Sequence, residues 1–180
     1  MVYVHLAEGF EEMEALSVVD LLRRVNVEAS LVSVTGQRLV KGAHGINIEA
    51  DILFEEADYE KCGMIVLPGG LPGTFGLRDH EGLCGRIKEF AEAGKKLAAI
   101  CAAPLVLGEL GIVEGRKATI YPGMEANLKG AVPVNEKVVK DGNIITSQGP
   151  GAAMYFALAI VEEFCGKAAA EDLRKDLILE

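Results

Sequence analysis

The chain has few basic side chains and no basic cluster. Its 180 residues carry 18 Lys and Arg against 27 Asp and Glu, so the formal net charge is −9. The longest basic runs are two residues, as at Arg23-Arg24 and Lys95-Lys96. Nucleic acids and anionic membrane surfaces are held by clustered Lys and Arg. We therefore expect no stable nucleic-acid binding and no membrane partner.

The chain also lacks a long apolar run. A membrane-spanning helix needs about 20 apolar residues, whereas the longest near-apolar stretch, 152–161, ends at Glu162-Glu163. Four glutamates lie within residues 8–14, where a signal peptide would be apolar. These features predict a cytoplasmic protein, and the length predicts one domain over residues 1–180.

Clustered metal ligands are missing as well. The four cysteines form no C-x-x-C pair, and the three histidines are far apart, so we expect no metal site. Gly69-Gly70 lacks the spacing of a dinucleotide or phosphate loop, so no cofactor is expected. Without an export signal, disulfides are not expected either. Three cysteines without a distinctive context are expected to be small core residues: Cys62, Cys84 and Cys165.

What the chain does contain is a regular alternation of apolar strands and amphipathic helices. The run 64–67 is continuously apolar, which is typical of a central parallel strand covered on both faces. The pattern predicts strands at 2–6, 29–34, 64–67, 96–100 and 118–120, a hairpin at 138–146, and helices at 11–25, 80–93, 102–110, 152–164 and 169–178. We predict an α/β fold, a three-layer α/β/α sandwich with a mostly parallel sheet. Sites in such sheets form at the carboxyl ends of the strands.

Cys101 stands at one of these strand ends, between a predicted strand and a predicted helix. A sharp turn that presents a nucleophile has small residues two positions to either side, and Ala99 and Ala103 meet that requirement. Pro104 suits a first helical turn. A thiol held over a helix N-terminus would have a lowered pKa. The alternative is a small core residue, because cysteine is among the most buried residues.

A nucleophile at this position needs donors for developing negative charge. Gly70 follows the 64–67 strand and can bring its N–H close because it has no Cβ. The N–H of Ala102 is the second candidate donor. The alternative is that Gly69-Gly70 only forms a turn.

Glu14 is the candidate proton partner. At about 100° per residue, it shares an azimuth with Val18 and Val25 and points inward, unlike Glu11 and Glu12. A carboxyl group in an apolar pocket has a raised pKa. Protonated, it can donate a hydrogen bond to a thiolate; ionised, it can act as a base. The alternative is a helix-start glutamate favoured by the helix dipole.

Together these residues resemble the ThiJ/PfpI superfamily, specifically its parkinsonism-associated, PARK7-like branch. The matching stretches are GFEEME at 9–14, VLPGG at 66–70, AAICAAP at 98–104 and TSQGPG at 146–151. The resemblance implies a flavodoxin-like sandwich of the class I glutamine amidotransferase-like type, usually a homodimer. It also implies a cysteine nucleophile at Cys101, a protonated glutamate at Glu14, and an anion site at Gly70 and Ala102.

The chain departs from the family pattern at two positions. Members assigned as peptidases carry histidine directly after the cysteine, where this chain has Ala102, so a peptidase is less expected. Many members have a histidine before Pro122, where this chain has Tyr121. A tyrosine side chain ordinarily titrates near 10, so it cannot replace imidazole as a base at neutral pH. His44 is either an exposed loop histidine or reaches the site across a dimer. Gly69, Tyr121 and His44 are thus the further candidates for substrate binding.

Two functions follow from this reading. The first is a glyoxalase- or deglycase-like enzyme, a hydrolase or lyase, that converts small reactive carbonyls such as methylglyoxal to lactate through a Cys101 thiolate and a protonated Glu14. The second is a redox sensor, or a protein that protects against oxidative stress in a chaperone-like way, and it would use oxidation of Cys101.

Overall fold

Seven strands form one sheet at the centre of the molecule. The computed structural model describes residues 1–179. The strands of this sheet are β1 (Val2–Leu6), β2 (Ala29–Ser33), β5 (Ile52–Leu53), β6 (Met64–Leu67), β7 (Lys96–Ile100), β10 (Val138–Asp141) and β11 (Ile144–Ser147). Their order across the sheet is β10-β11-β7-β6-β1-β2-β5. All neighbours are parallel except β10 and β11, which form an antiparallel hairpin. The predicted mostly parallel sheet is confirmed.

Helices cover both faces of this sheet. They are α1 (Glu12–Arg24), α2 (Gly73–Asp79), α3 (Glu81–Glu92), α4 (Pro104–Glu109) and α5 (Ala153–Asp176). Helices α1 and α5 pack together on one face, and α2, α3 and α4 lie on the other. The three-layer sandwich is therefore confirmed.

The alternation of side chains along β1 shows how the sequence builds two cores. Val2, Val4 and Leu6 contribute to the core under α1 and α5, whereas Tyr3 points to the core under α2 to α4. Successive side chains in a strand point to opposite faces. A central strand in a sandwich therefore needs apolar side chains on both faces, as the run 64–67 has; the buried His5 is the polar exception in β1.

Smaller elements differ from the sequence prediction. Two hairpin strands, β3 (Leu39–Lys41) and β4 (Asn47–Glu49), were not predicted, because only Val40 among their residues is buried. The predicted strand at 118–120 shortens to β8 (Lys117–Ala118), which pairs with β9 (Val132–Pro133) outside the main sheet. Helix α2 was also missed. The two predicted C-terminal helices form one helical segment that is interrupted at Gly166.

The cysteines other than Cys101 fall into different environments. Cys62 is buried, as expected, and burial raises the pKa of its thiol to about 11. Cys84 is only half-buried, and Cys165 is exposed on α5, so the prediction of a core residue is wrong for Cys165. Within residues 1–179, no helix has the length and apolar character to cross a membrane.

Candidate active site

Cys101 occupies a tight turn between β7 and α4. Its backbone has φ 64°, in the left-handed region, and its N–H donates to the carbonyl of Ser147 at 2.9 Å. Ala99 and Ala103 are fully buried on either side, which explains why both positions carry small residues. A side chain other than glycine rarely adopts such a conformation, and residues that do so concentrate at functional sites. The sharp strand-to-helix turn that the sequence predicts at Cys101, called the elbow below, is therefore present in the structure.

Glu14 points inward from the first turn of α1 and is completely buried. Its Oε2 accepts a hydrogen bond from the Gly69 N–H at 2.7 Å, whereas its Oε1 is buried without a hydrogen-bond partner. Burial raises the pKa of Glu14 to about 7, the Gly69 N–H and the nearby Cys101 thiol oppose the rise, and the negative charge of Glu11 adds to it. The predicted inward carboxyl with a raised pKa is confirmed.

The thiol of Cys101 has a high pKa rather than the low one that the sequence suggested. Burial and the nearby charge of Glu14 raise the pKa of Cys101 to about 12, while the N–H groups of Gly70 and Ala102 oppose the rise. Helix α4 has only six residues, so its dipole is weak. The expectation of a low-pKa thiolate is therefore wrong for Cys101 taken alone. Cys101 and Glu14 form a coupled pair, and losing both protons is opposed by burial and by mutual repulsion.

The glycine pair lets the loop after β6 approach both members of this pair. A Cβ added at Gly69 would lie 2.5 Å from Cβ of Cys101 and 2.8 Å from Oε2 of Glu14. Gly70 has φ +89°, and a Cβ there would lie 2.5 Å from the backbone nitrogen of Glu11. No other residue fits at either position. The alternative of a simple turn does not account for these contacts.

A cavity of about 390 Å³ lies over Cys101. Its lining residues are Gly70, Leu71, Cys101, Ala102, Tyr121, Pro122, Gly123 and Met124. None of these described residues has a charged side chain, except Cys101 when it is a thiolate. Tyr121 is 48% exposed, and its N–H donates to the carbonyl of Cys101 at 2.9 Å. The structure thus brings Tyr121 to the site, as expected.

His44 lies beside the site rather than in it. Its side chain is 67% exposed, and its Nδ1 lies 2.8 Å from Oε2 of Glu12 and 3.5 Å from Oε2 of Glu11. The backbone N–H of His44 donates to Oε1 of Glu12 at 2.8 Å. His44 therefore reaches these glutamates within its own chain and does not line the cavity over Cys101.

Glu11 and Glu12 are buried, which corrects the expectation that they face away from the interior. They are only 6% and 4% exposed. The loop between β3 and β4 covers them, and a Cβ at Gly42 would collide with Glu12. With His44 they place three ligand atoms within 4.8 Å of one another, the arrangement a metal ion would need. Two of the three ligands, Glu12 and His44, already hydrogen-bond with each other, and we assign no metal to the group.

Sequence reasoning missed three residues around Cys101. Leu71 and Met124 line the cavity, and a Cβ at Gly149 would lie 3.9 Å from Sγ of Cys101. Gly149 lies in the TSQGPG stretch that resembles the family, but the sequence alone does not show that it approaches the Cys101 sulfur. For Leu71 and Met124, the sequence gives no indication of a role except that they lie near Gly70 and Tyr121 along the chain.

The comparison with known proteins identifies the family. Residues 1–163 match the DJ-1/PfpI family. The chain belongs to the DJ-1/PfpI family. It is 38% identical to Protein DJ-1 homolog B of Arabidopsis thaliana over 97% of this chain, but spans only 40% of that protein. With Protein dj-1beta of Drosophila melanogaster it shares 38% identity over 98% of this chain and 95% of the relative.

A solved structure supports the assignment of the fold. Oxidized DJ-1 of Toxoplasma gondii superposes with a TM-score of 0.94 at 34% identity, over 99% of this chain and 97% of that one. A more distant DJ-1/PfpI relative from Thermococcus kodakarensis, named a deglycase, is 31% identical over 81% of this chain and 87% of its own length. The predicted family and the flavodoxin-like sandwich are therefore confirmed.

Proposed function

We propose that residues 1–180 form one domain that acts as a cysteine-dependent enzyme on reactive small carbonyls, converting methylglyoxal to lactate. The observation that carries this proposal is the pairing of Cys101 with the buried Glu14 around Gly69, beneath an uncharged cavity. A general acid or base works best when its pKa lies near the operating pH, and the pKa of Glu14 is about 7. The deglycase name of the Thermococcus relative agrees with this class of substrate.

The first step is addition of Cys101 to the aldehyde. The bond between Sγ and the aldehyde carbon forms while the thiol proton passes to the Glu14 carboxylate. We assign the N–H groups of Gly70 and Ala102 to the oxyanion, because both lower the pKa of Cys101 and therefore favour negative charge beside Sγ. Glu14 then returns the thiol proton to this oxygen, which completes a hemithioacetal and leaves Glu14 ionised.

The second step moves hydrogen between the two substrate carbons. Glu14 takes the proton from the former aldehyde carbon and returns one to the former ketone carbon, while the hydroxyl proton on the former aldehyde oxygen moves to the former ketone oxygen. The product is a lactyl thioester on Cys101. The aldehyde carbon is oxidised and the ketone carbon is reduced, so no external oxidant is needed. Water then cleaves the thioester and releases lactate and the free thiol. The sequence of steps balances with water as the sole co-reactant and without a cofactor.

The test is formation of lactate from methylglyoxal by the purified chain, measured with and without substitution of Cys101. We expect a rate that rises with pH through about 7, because addition needs a Cys101–Glu14 pair that has lost one of its two protons. The effect of the substitution is argued in the Discussion.

We also propose that the chain forms a homodimer through α1 and the β3–β4 hairpin. Met13, Leu39 and Ile46 are 60%, 58% and 54% exposed, and the hairpin loop contacts Glu12 next to Met13. Large apolar side chains grouped on a surface mark interaction sites. The prediction that His44 approaches the site across a dimer depends on this surface, because His44 lies in the same loop.

Met13→Glu is expected to convert the dimer to a monomer, since it would bury unpaired charge at the contact. Light scattering after size-exclusion chromatography measures the mass. Val132→Glu is the matched control, because Val132 is 52% exposed on β9 and lies outside the proposed surface. A wild-type monomer, or a Met13→Glu dimer, would contradict the interface.

A second candidate function is oxidation of Cys101 as a protective or sensing event. Protonated Glu14 can donate to a sulfinate oxygen, and the cavity leaves room above Sγ. We expect mild peroxide to add two oxygen atoms to Cys101 in preference to the exposed Cys165, as read by peptide mass spectrometry. Equal oxidation of both cysteines would argue against this function.

A further inference from the structure

The cavity over Cys101 has a neighbour on the far side of Tyr121. This second cavity has a volume of about 310 Å³. Its lining residues are Tyr121, Pro122, Lys137, Gln148, Gly149, Pro150, Gly151 and Ala152. The proposed mechanism uses none of this space, because methylglyoxal needs only the cavity over Cys101.

The two cavities adjoin each other close to the reactive sulfur. Tyr121 and Pro122 line both of them. Gly149 lines the second cavity, and a Cβ added there would lie 3.9 Å from Sγ of Cys101 and 3.3 Å from the Tyr121 ring. Gly149 therefore brings the second cavity close to the sulfur, although Cys101 does not itself line that cavity, and the half-exposed Tyr121 contributes to the walls of both cavities.

One charge distinguishes the second cavity from the first. Lys137 is the only ionised side chain among the described residues that line either cavity. Its ammonium group lies 4.7 Å from the centre of the Tyr155 ring, and Gln148 donates to Asn135 at 2.6 Å. A single cation beside an otherwise uncharged wall fits a carboxylate better than a neutral or cationic group.

We propose that the second cavity is a subsite for the carboxylate of a larger carbonyl substrate, with Lys137 as its anchor and Tyr121 as the residue that sets how the substrate passes between the cavities. This inference rests on the proposed function of Cys101 and names the substrate class of that same site. The substrates it favours are 2-oxoaldehydes or ketones that carry a carboxylate on a flexible chain, in preference to their neutral esters.

The first experiment reads binding without turnover. Iodoacetamide alkylates Cys101, and the rate is followed at that residue by peptide mass spectrometry with 4-oxopentanoate or its methyl ester present. We expect the acid to slow alkylation at a concentration about two- to fivefold lower than the ester needs, and Lys137→Gln to remove this difference, as expected for one exposed ion pair. Lys88→Gln is the control, since Lys88 lies on α3 and lines neither cavity. Equal protection by acid and ester, or a preference that survives Lys137→Gln, would overturn the subsite.

The second experiment reads turnover. We expect kcat/KM for 4,5-dioxopentanoate to exceed kcat/KM for its methyl ester. Lys137→Gln should lower kcat/KM for the acid by raising its KM, and it should leave kcat/KM for the ester and for methylglyoxal unchanged. Tyr121→Ala should alter the acid-to-ester ratio, and Tyr121→Phe, which keeps the ring, should preserve it. If no 2-oxoaldehyde is turned over, the proposed function is refuted, and the alkylation experiment still tests whether the subsite binds a carboxylate. If the acid, the ester and methylglyoxal are all turned over and Lys137→Gln changes none of the rates, only the subsite is refuted.

Discussion

Cys101→Ser is expected to reduce lactate formation from methylglyoxal to the uncatalysed background. Serine has nearly the same shape and fits the turn at φ 64° as well as cysteine does. Its hydroxyl is a far weaker nucleophile and acid than a thiol, so Glu14, with a pKa of about 7, cannot take its proton to any useful extent. Removing a nucleophile that acts as a unit with its base typically lowers kcat by several orders of magnitude. The loss should appear in kcat while the fold, followed by circular dichroism, is retained.

Cys165→Ser is the matched control for this experiment. Cys165 is also a free thiol, but it is exposed on α5 and lines neither cavity near the elbow. Its substitution should leave the rate unchanged. Full activity in Cys101→Ser would refute the proposed function, because the remaining thiols offer no comparable environment.

Glu14→Gln is expected to make the protein more stable at neutral and alkaline pH while it loses activity. The fold raises the pKa of Glu14 from 4.5 to about 7, so the folded state favours the neutral carboxyl. The stabilisation from the bound proton is full below pH 4.5 and is lost as pH rises toward about 7. At 1.36 kcal/mol per pKa unit, this loss amounts to about 3 kcal/mol. A glutamine at this position is neutral at every pH, so the variant does not lose this stability as the pH rises.

The free energy of unfolding in urea, measured at pH 5 and pH 8, checks this prediction. The variant should exceed the wild type by about 3 kcal/mol at pH 8 and by less than about 1 kcal/mol at pH 5. Turnover should fall at least about 100-fold, the usual contribution of a general acid–base residue. Glu8→Gln, at an exposed carboxylate, should change neither quantity. If the wild type is more stable than Glu14→Gln at pH 8, the ionised Glu14 does not destabilise the folded state, and the prediction is contradicted.

The parts of the site that depend on local structure were predictable from the sequence. The inward direction of Glu14 follows from helical spacing within α1, and the small residues around Cys101 indicate a tight turn after β7. Both are confirmed by burial and by the backbone conformation. The continuous apolar strands likewise predicted a sheet covered on both faces.

The parts that depend on distant segments were not predictable. Glu11 and Glu12 are buried by a hairpin loop some 30 residues further along the chain, which a helical wheel of α1 does not show. The high pKa of Cys101 arises from burial and from the charge of Glu14, whereas the local sequence shows only the start of α4. The second cavity arises where Tyr121, Lys137 and Gly149 meet, and these come from three separate segments.

The central claim is that Cys101 and Glu14 act as one coupled pair, in which a single proton is shared at neutral pH. The rate at which iodoacetamide alkylates Cys101, measured against pH by site-resolved mass spectrometry, tests this most directly. In the wild type the rate should rise through about 7, where the pair loses its first proton, because thiolate is then in equilibrium with protonated Glu14. In Glu14→Gln that step should vanish, and the rate should rise only above pH 9, as expected for a buried thiol with no carboxylate to accept its proton. A wild-type profile with one step near 8.5, the pKa of an unperturbed thiol, or a step near 7 that persists in Glu14→Gln, would contradict the shared proton.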